Sequence, residues 1–278
     1  RSTLPIDVSR TIEDLFTVAP LDICHVHEPF APSTSAAALR HSRALNVGTF
    51  HTPTERLLST QVARKLVALV FGRLDTRIAA FPATRELMDR YFPGDYTVVA
   101  PGTDAPAVAH DAPAPGEPLR LVFVDVEERG ALRTFLRALR RLADLDGWEA
   151  TILSASGESS TAPVPQRLRD RIRYVDPADA DEATVLARAD VLVCASDGDD
   201  PAPDLILRAL AAGVVPLVSR LPVYEDVLAD GDGSLLFERK DIETLGAQVR
   251  RLVEDPELLG RLRAGAPAVR PWAEVTDE

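Results

Sequence analysis

Histidine and glutamate residues stand at the ends of two short apolar runs near the start of the chain. The first run, Cys24-His25-Val26-His27-Glu28, is followed about twenty residues later by Gly48-Thr49-Phe50-His51-Thr52. If the two runs are parallel strands, their carboxyl ends meet at the edge where open α/β sheets bind ligands. His27, Glu28 and His51 are therefore candidates for contacting a polar ligand; in the plainer interpretation, His51 only ends a strand.

The first run also permits a metal-site hypothesis. His25 and His27 alternate along one strand, so they share a face and could ligate a metal ion together with Glu28. No third strong ligand is visible in the sequence, and we predict that there is no metal site.

The elements that carry these residues follow from hydrophobic periodicity. Short apolar runs alternate with helix-period segments, the pattern of parallel α/β domains. The first part predicts helices at Ser33–Ser42, Thr54–Phe71 and Thr84–Tyr91, and strands at Leu21–Val26, Asn46–Phe50, Arg77–Phe81 and Tyr96–Ala100. The second part predicts strands at Leu119–Val124, Ala150–Ser154, Ile172–Val175, Val191–Cys194, Val214–Val218 and Ser234–Phe237.

Four prolines between positions 106 and 118 indicate a linker, because proline removes backbone donors and holds the chain extended. We predict two Rossmann-like α/β domains, at residues 1–105 and 119–255, joined by the linker 106–118. Residues 256–278 form a tail that we expect to return toward the first domain. The six strands of the second domain make a complete doubly wound sheet, whereas the first domain shows only four.

The segment from His25 to His51, with Pro101-Gly102-Thr103-Asp104, resembles the retaining family 4 glycosyltransferases of GT-B fold, and in particular the phosphatidylinositol mannosyltransferases. The resemblance continues more weakly through Ala209–Gly213 and Val227–Gly231 and covers most of the chain. It implies that the N-terminal domain binds the acceptor and the C-terminal domain a nucleotide sugar. It places His51 near the transferred sugar, and His27 and Glu28 on the acceptor side.

The donor side departs from that family after the strand Leu119–Val124. Relatives have a Gly-Arg pair and then a Lys-Gly pair, whose cations neutralise the donor diphosphate. Here the segment is about three residues shorter and contains Asp125, Glu127 and Glu128, with Arg129 alone able to replace the lysine. Each carboxylate near a diphosphate would cost roughly 1–4 kcal/mol per charge pair at a surface-like dielectric constant.

A second departure concerns two family glutamates, eight residues apart, that contact the sugar and the ribose. The matching positions are Asp200 and Arg208, and arginine has no acceptor for the ribose hydroxyls. The glycine-rich turn between them, which lets N–H groups approach phosphate, is replaced by Pro201-Ala202-Pro203-Asp204. By the resemblance, His51 and Asp200 are the catalytic candidates, and the donor-binding candidates are Arg129, Ser154, Ser156 and Asp204.

Three functional hypotheses follow. The leading one is transfer of a sugar, with retention, from a nucleoside diphosphate to a lipid or small-molecule acceptor, with no cofactor and no metal. The alternative is a catalytically degenerate family member that acts as a binding or scaffold partner, because three changes fall around one diphosphate. The third is a transferase that uses another activated donor. The sequence leaves the oligomeric state undetermined.

The charge balance of the chain limits the classes of partner that it can bind. The chain of 278 residues has a net charge of −12: residues 1–110 hold 11 basic and 11 acidic side chains, and residues 111–278 hold 20 and 32. This balance argues against nucleic-acid binding. Ala36–Arg90, with nine basic and four acidic residues, permits peripheral contact with an anionic membrane, although a solvated helix face explains it better.

A cytoplasmic location is the default expectation. No apolar stretch approaches the ~18 residues of a membrane span, residues 1–10 lack the apolar core of a signal peptide, and Cys24 and Cys194 suit buried free thiols. The helix at Leu57–Phe71 permits a membrane-surface role, but core packing explains its pattern better. We also expect the first domain to lack its first strand and that strand's glycine turn, and the closing helix to be cut short after Pro271.

Overall fold

The structure is a computed structural model that describes residues 6–62, 70–104, 106, 108–111, 116–155, 164–229 and 231–276. The chain divides into two units, Arg1–Ala100 and Pro101–Glu278. Each unit contains one parallel sheet. Among the described residues, no helix is both long and apolar enough to cross a membrane.

The first unit has four parallel strands in the order β1-β2-β3-β4. The strands are β1 Ile23–His27, β2 Leu45–Phe50, β3 Thr76–Ala79 and β4 Thr97–Val98, and the helices are α1 Ile6–Val18, α2 Thr34–His41, α3 Glu55–Val62 and α4 Pro82–Tyr91. His27 pairs in register with Thr49, and the Glu28 N–H donates to the Thr49 carbonyl at 2.9 Å. The register therefore brings Glu28 and His51 to the same edge of the sheet.

Aromatic packing holds the end of β2 in place. The rings of Phe30, Phe50 and Phe71 lie 5.5 to 5.8 Å apart in tilted or edge-on pairs, which are the arrangements that aromatic rings prefer. Leu58 and Met88 complete this buried cluster. Because Phe50 directly precedes His51, the cluster fixes the backbone from which the histidine projects.

The second unit has six parallel strands in the order β10-β9-β8-β5-β6-β7, which is the doubly wound arrangement. Its strands are β5 Leu119–Val124, β6 Trp148–Leu153, β7 Ile172–Val175, β8 Val191–Cys194, β9 Val215–Ser219 and β10 Leu235–Phe237. Its helices are α5 Arg129–Arg141, α6 Glu182–Ala187, α7 Pro203–Ala211, α8 Pro222–Leu228, α9 Ile242–Glu254, α10 Pro256–Ala264 and α11 Trp272–Val275.

Helix α5 shows how sequence periodicity builds this core. Apolar residues at the i, i+3, i+4 spacing of a helix form a buried stripe at Leu132, Phe135, Leu136, Leu139 and Leu142. Phe135 stacks on Phe123 of β5 with ring centroids 5.3 Å apart. Since burial of one such side chain contributes about 1.5–3 kcal/mol, the stripe fixes α5 against the sheet and sets where the β5–α5 turn lies.

All ten predicted strands are present, with ends displaced by no more than a few residues, and both cysteines are free and buried as predicted. Helix α1 was not predicted. Its inner side is only partly buried, at Ile12 and Phe16, so its periodicity is faint. Helix α3 begins the predicted Thr54–Phe71 helix, but residues 63–69, with Arg64 and Lys65, lie outside the described residues.

The boundary between the units falls at Pro101, ahead of the predicted linker. The Thr103 N–H donates to the Arg270 carbonyl at 2.9 Å, and His110 Nε2 lies 2.9 Å from the Ala189 carbonyl, so this segment binds to the second unit. Ala105, Ala107 and residues 112–115 are outside the described residues. In the tail, α10 contributes to the second unit's core; the tail's return toward the first domain stays a prediction.

Candidate functional site

Glu28 organises the edge of the first sheet. It follows β1 in the left-handed region at φ 48°, which is uncommon for a residue with a side chain. Its carboxylate accepts the N–H groups of His51 at 2.6 Å and Thr52 at 3.2 Å. Burial raises the pKa of Glu28 to about 6, although both N–H groups oppose that rise. Glu28 thus joins the ends of β1 and β2.

His51 is held at its ring and at its backbone. Its Nε2 lies 2.8 Å from Nδ1 of His27, and the two rings stack with centroids 5.1 Å apart. The Thr84 hydroxyl donates to the His51 carbonyl at 2.6 Å. With Glu28 on its N–H, the residue is fixed on both sides, while its ring remains partly exposed.

His25 extends the two imidazoles into a row. Its ring stacks on His27 at 4.6 Å, and its Nε2 lies 2.7 Å from the Thr49 hydroxyl. Burial, and to a lesser degree His27, lowers the pKa of His25. Within the described ranges, no group of three or more His, Cys, Asp or Glu residues is arranged to hold a metal ion. The row can instead exchange hydrogen bonds with the hydroxyls of a ligand.

In the second unit, two glutamates at the start of α5 bind the loop that follows β8. Glu127 accepts the N–H groups of Ala195 at 2.8 Å and Ser196 at 3.2 Å. Glu128 accepts the Ser196 hydroxyl at 2.7 Å and the N–H groups of Asp197 at 2.5 Å and Asp200 at 3.1 Å. The carboxylates predicted to repel a diphosphate therefore satisfy this loop's own donors.

Glu127 has one more partner, which sequence reasoning missed. The hydroxyl of Tyr224 on α8 donates to Glu127 Oε1 and accepts the Ala202 N–H at 3.0 Å. Burial raises the pKa of Glu127 to about 7, against its hydrogen bonds. Burial and Glu127 together raise the pKa of Tyr224. Tyr224 lies 97 residues from Glu127 in sequence, and no local signal marks the pair.

Comparison with known proteins assigns both units to one family. Residues 119–255 match the family model described as Glycosyl transferases group 1, and residues 3–106 match that described as Glycosyltransferase Family 4. This chain belongs to the family 4 glycosyltransferases. The family resemblance predicted from His25–His51 is therefore confirmed.

Curated relatives of this family 4 glycosyltransferase include two mycobacterial proteins, each named phosphatidyl-myo-inositol mannosyltransferase. The Mycolicibacterium smegmatis protein is 28% identical over 257 residues, 90% of this chain and 66% of the relative. The Mycobacterium leprae protein is 27% identical over 268 residues, 92% and 71% of the respective chains. The chain thus spans about two thirds of the length of the first relative.

Solved structures confirm the predicted fold class, two Rossmann-like domains of GT-B type. Sucrose-phosphate synthase from Thermosynechococcus elongatus matches with a TM-score of 0.74 at 16% identity, covering 99% of this chain and 78% of that one. Anabaena HepE, solved with UDP and glucose, matches with a TM-score of 0.76 at 13% identity, covering 97% and 78%. At these identities the likeness concerns the fold alone.

The donor-site candidates predicted from the family resemblance differ in burial. Ser154 is buried, and its hydroxyl donates to Asp125 at 2.6 Å. The exposed Arg129 side chain makes no ion pair among the described residues and lies with Glu128 and Lys240 in an open depression. Ser156 lies outside the described residues.

Two further donor-site candidates are Asp204, which lies in a second depression, and Asp200, which lies in the loop after β8. Asp204, in the first turn of α7, is exposed and lines a depression with Glu182 and Arg208. Arg208 donates through two nitrogens to the Glu182 carboxylate, so an internal ion pair engages the position that the resemblance predicts for ribose binding. Burial, and then Glu128, raises the pKa of Asp200.

Several arginines of the basic region Ala36–Arg90 have partners within the protein, so fewer of them are free to contact an anionic membrane than the composition indicates. Arg73 donates to the carbonyls of Leu39 at 2.8 Å and Ser42 at 2.5 Å. Arg77 donates to the Phe71 and Pro93 carbonyls, and Arg90 lies 3.7 Å from Glu55. Arg73 and Arg77 thus hold backbone segments in place, and Arg90 has a carboxylate beside it, so fewer guanidinium groups of this region are without a partner.

Proposed function

We propose that this family 4 protein transfers a sugar from a nucleoside diphosphate donor to a lipid or small-molecule acceptor, with retention at the anomeric carbon. The observation that supports it is the edge of the first sheet, where Glu28 and Thr84 fix the His51 backbone and His27 contacts its ring. The fold's ligand edge and the mannosyltransferase names of the relatives agree with it.

In this proposal the chain acts mainly by positioning. The bond from the anomeric carbon to the diphosphate oxygen breaks, the acceptor oxygen bonds on the same face, and the hydroxyl proton passes to the departing diphosphate. His51 contacts the transferred sugar, with Asp200 on the sugar hydroxyls, and His27 and Glu28 serve the acceptor. Arg129 supports the diphosphate, Ser154 and Ser156 the nucleotide, and Asp204 borders the donor site.

His51→Ala tests the transfer hypothesis directly. We expect kcat/KM for sugar transfer to fall by about 10²-fold or more, because a fixed hydrogen-bonding group at the sugar is lost. His41→Ala is the matched control, since His41 lies on α2 and pairs with Ser9 at 3.2 Å. Transfer that is equally fast in wild type, His51→Ala and His41→Ala would contradict the role of His51.

The second candidate function is a binding or scaffold protein that has lost donor chemistry. It is favoured by the donor side, where Asp125, Glu127, Glu128 and Arg208 all have internal partners. Calorimetric titration with a panel of nucleoside diphosphate sugars separates the two candidates. Micromolar binding of one of them supports transfer; no binding across the panel to a protein that unfolds cooperatively supports the scaffold.

We also propose that the protein works in the cytoplasm and touches an anionic membrane through the basic side chains of Ala36–Arg90 that lack internal partners. Arg40, Arg43 and Arg85 are exposed and make no ion pair among the described residues. Cosedimentation with vesicles containing anionic phospholipid tests the proposal, with neutral vesicles as the control. Equal recovery with both vesicle types would oppose it.

A further inference from the structure

Three donors from one short loop converge on the carboxylate of Glu128. The Ser196 hydroxyl and the Asp200 N–H donate to Oε2, and the Asp197 N–H donates to Oε1. The Ser196 hydroxyl also accepts the Gly198 N–H at 3.0 Å, which closes the loop on itself. Converging backbone donors of this kind form an oxyanion site. In this chain, the oxyanion is a side chain of the protein.

Glu127 and Glu128 differ in how firmly they are held. Glu127 is buried and has Tyr224 beneath it as well as two backbone donors. Glu128 precedes α5 with an extended backbone, φ −61° and ψ 152°, and it is only partly buried. Rotation of its side chain would therefore release three donors without disturbing the buried Glu127–Tyr224 contact.

The surroundings of Glu128 favour an anion in its place. Glu128 lines an open depression of about 430 Å³ together with Arg129, Arg133, Arg137 and Lys240. The two acidic neighbours there are Asp197 and Asp199, and Asp197 pairs with Lys240 at 2.5 Å. The three arginines repeat at helical spacing on the exposed side of α5. A phosphoryl group in the loop would thus lie within a cationic border.

We propose that Glu128 acts as an internal competitor: its carboxylate occupies an oxyanion site formed by Ser196, Asp197 and Asp200, and a diphosphate binds there only when Glu128 leaves. The inference deepens the proposed function and rests on it for the identity of the ligand. It assigns the weakening of donor binding to one side chain, since Asp125 and Glu127 are held by Ser154 and Tyr224.

The test is titration of the full chain with inorganic pyrophosphate at fixed ionic strength. We expect Glu128→Ala to bind pyrophosphate at least about tenfold more tightly than wild type, because three donors then lack an internal acceptor. Asp199→Ala is the control, since it removes the same charge from the same depression. We expect it to change affinity by no more than roughly threefold, as a partly screened surface charge.

Two further comparisons keep the outcomes distinct. If Glu128→Ala loses cooperative unfolding, Glu128→Ser is titrated instead, because its hydroxyl can still accept one hydrogen bond. If the variant that is titrated binds pyrophosphate no more tightly than Asp199→Ala does, the inference is overturned, whatever the protein transfers. A gain in pyrophosphate affinity without binding of any nucleoside diphosphate sugar supports the inference and counts against the proposed function alone.

Discussion

The buried carboxylate of Glu127 connects three parts of the second unit. Its side chain lies between α5, the loop after β8 and Tyr224 on α8, with three hydrogen-bond donors directed at it. Removal from water disfavours the ionised form, and the pKa of Glu127 rises to about 7 because the donors only partly compensate. The fold thus depends on a group whose charge changes near neutral pH.

This raised pKa predicts how stability varies with pH. The folded protein binds the proton more tightly than the unfolded chain, so the contribution of Glu127 is complete below the ordinary glutamate pKa of 4.5 and is lost as pH rises to about 7. The shift corresponds to about 3 kcal/mol. We expect Glu127→Gln to reduce this slope and to leave the smaller part that the raised pKa of Glu28 contributes below about pH 6, as measured by chemical unfolding at pH 5, 6, 7 and 8.

A matched substitution isolates the effect of burial. Glu149 is an exposed carboxylate on β6, and Glu149→Gln should preserve the wild-type pH slope. Glu127→Gln itself should be less stable than wild type by about 1–3 kcal/mol at pH 5, because its amide nitrogen faces a backbone N–H. The same slope in wild type and Glu127→Gln would show that another group is responsible.

At the scale of elements, close backbone packing joins the loop before β10 to the end of α10. A Cβ built on Gly233 would lie 2.3 Å from the Ala266 Cα and 2.5 Å from its N. These neighbours are backbone atoms, which cannot rotate away as a side chain can. The contact holds α10, with its buried Leu258, Leu259 and Leu262, against the core of the second unit.

Two glycine substitutions test this packing. Gly233→Ala should lower the free energy of unfolding by about 1–3 kcal/mol, since one methyl group must displace backbone. Gly260→Ala is the control: it lies in α10 with nothing within 4 Å of its Cβ, and it should gain about 0.5–1 kcal/mol from helix propensity. Denaturant unfolding of both variants measures the difference; equal effects would contradict the close contact.

At the scale of the whole molecule, charge and cores are distributed unevenly between the two units. Residues 111–278 hold 20 basic and 32 acidic side chains. The second unit also has the larger continuous core, to which all six of its strands contribute. An excess of one charge sign weakens a compact state by self-repulsion. Salt should therefore act differently on the two units.

The fragment Pro101–Glu278 should fold by itself, because, in the part of the chain that the structure describes, its sheet and the core cluster around α5 contain no residue before Pro101. We expect one cooperative thermal transition and a midpoint that rises between low and about 0.15 M salt as repulsion among carboxylates is screened. Fragment Arg1–Ala100 is the comparison, since residues 1–110 are balanced in charge. A midpoint of Pro101–Glu278 independent of salt would contradict this expectation.

The predicted elements show where sequence periodicity is sufficient. Strands buried on both faces, such as β8 with Val191, Leu192, Val193 and Cys194, have unbroken apolar runs and were found at their observed limits. The inner side of helix α1 is only partly buried, so its apolar periodicity was too weak to predict a helix there. In the candidate site, the grouping of His27, Glu28 and His51 followed from two strand ends in parallel register.

The sequence by itself determined the strands, the helices α2 to α4, the family, and the edge at which His27, Glu28 and His51 meet, because spacings of two and 3.6 residues and local motifs act over short distances. Only the tertiary structure decided the partners of the charged groups. Glu127 meets Tyr224, Glu128 meets the loop after β8, and Arg208 meets Glu182. Those contacts depend on strand order, which brings segments 26 to 97 residues apart into contact.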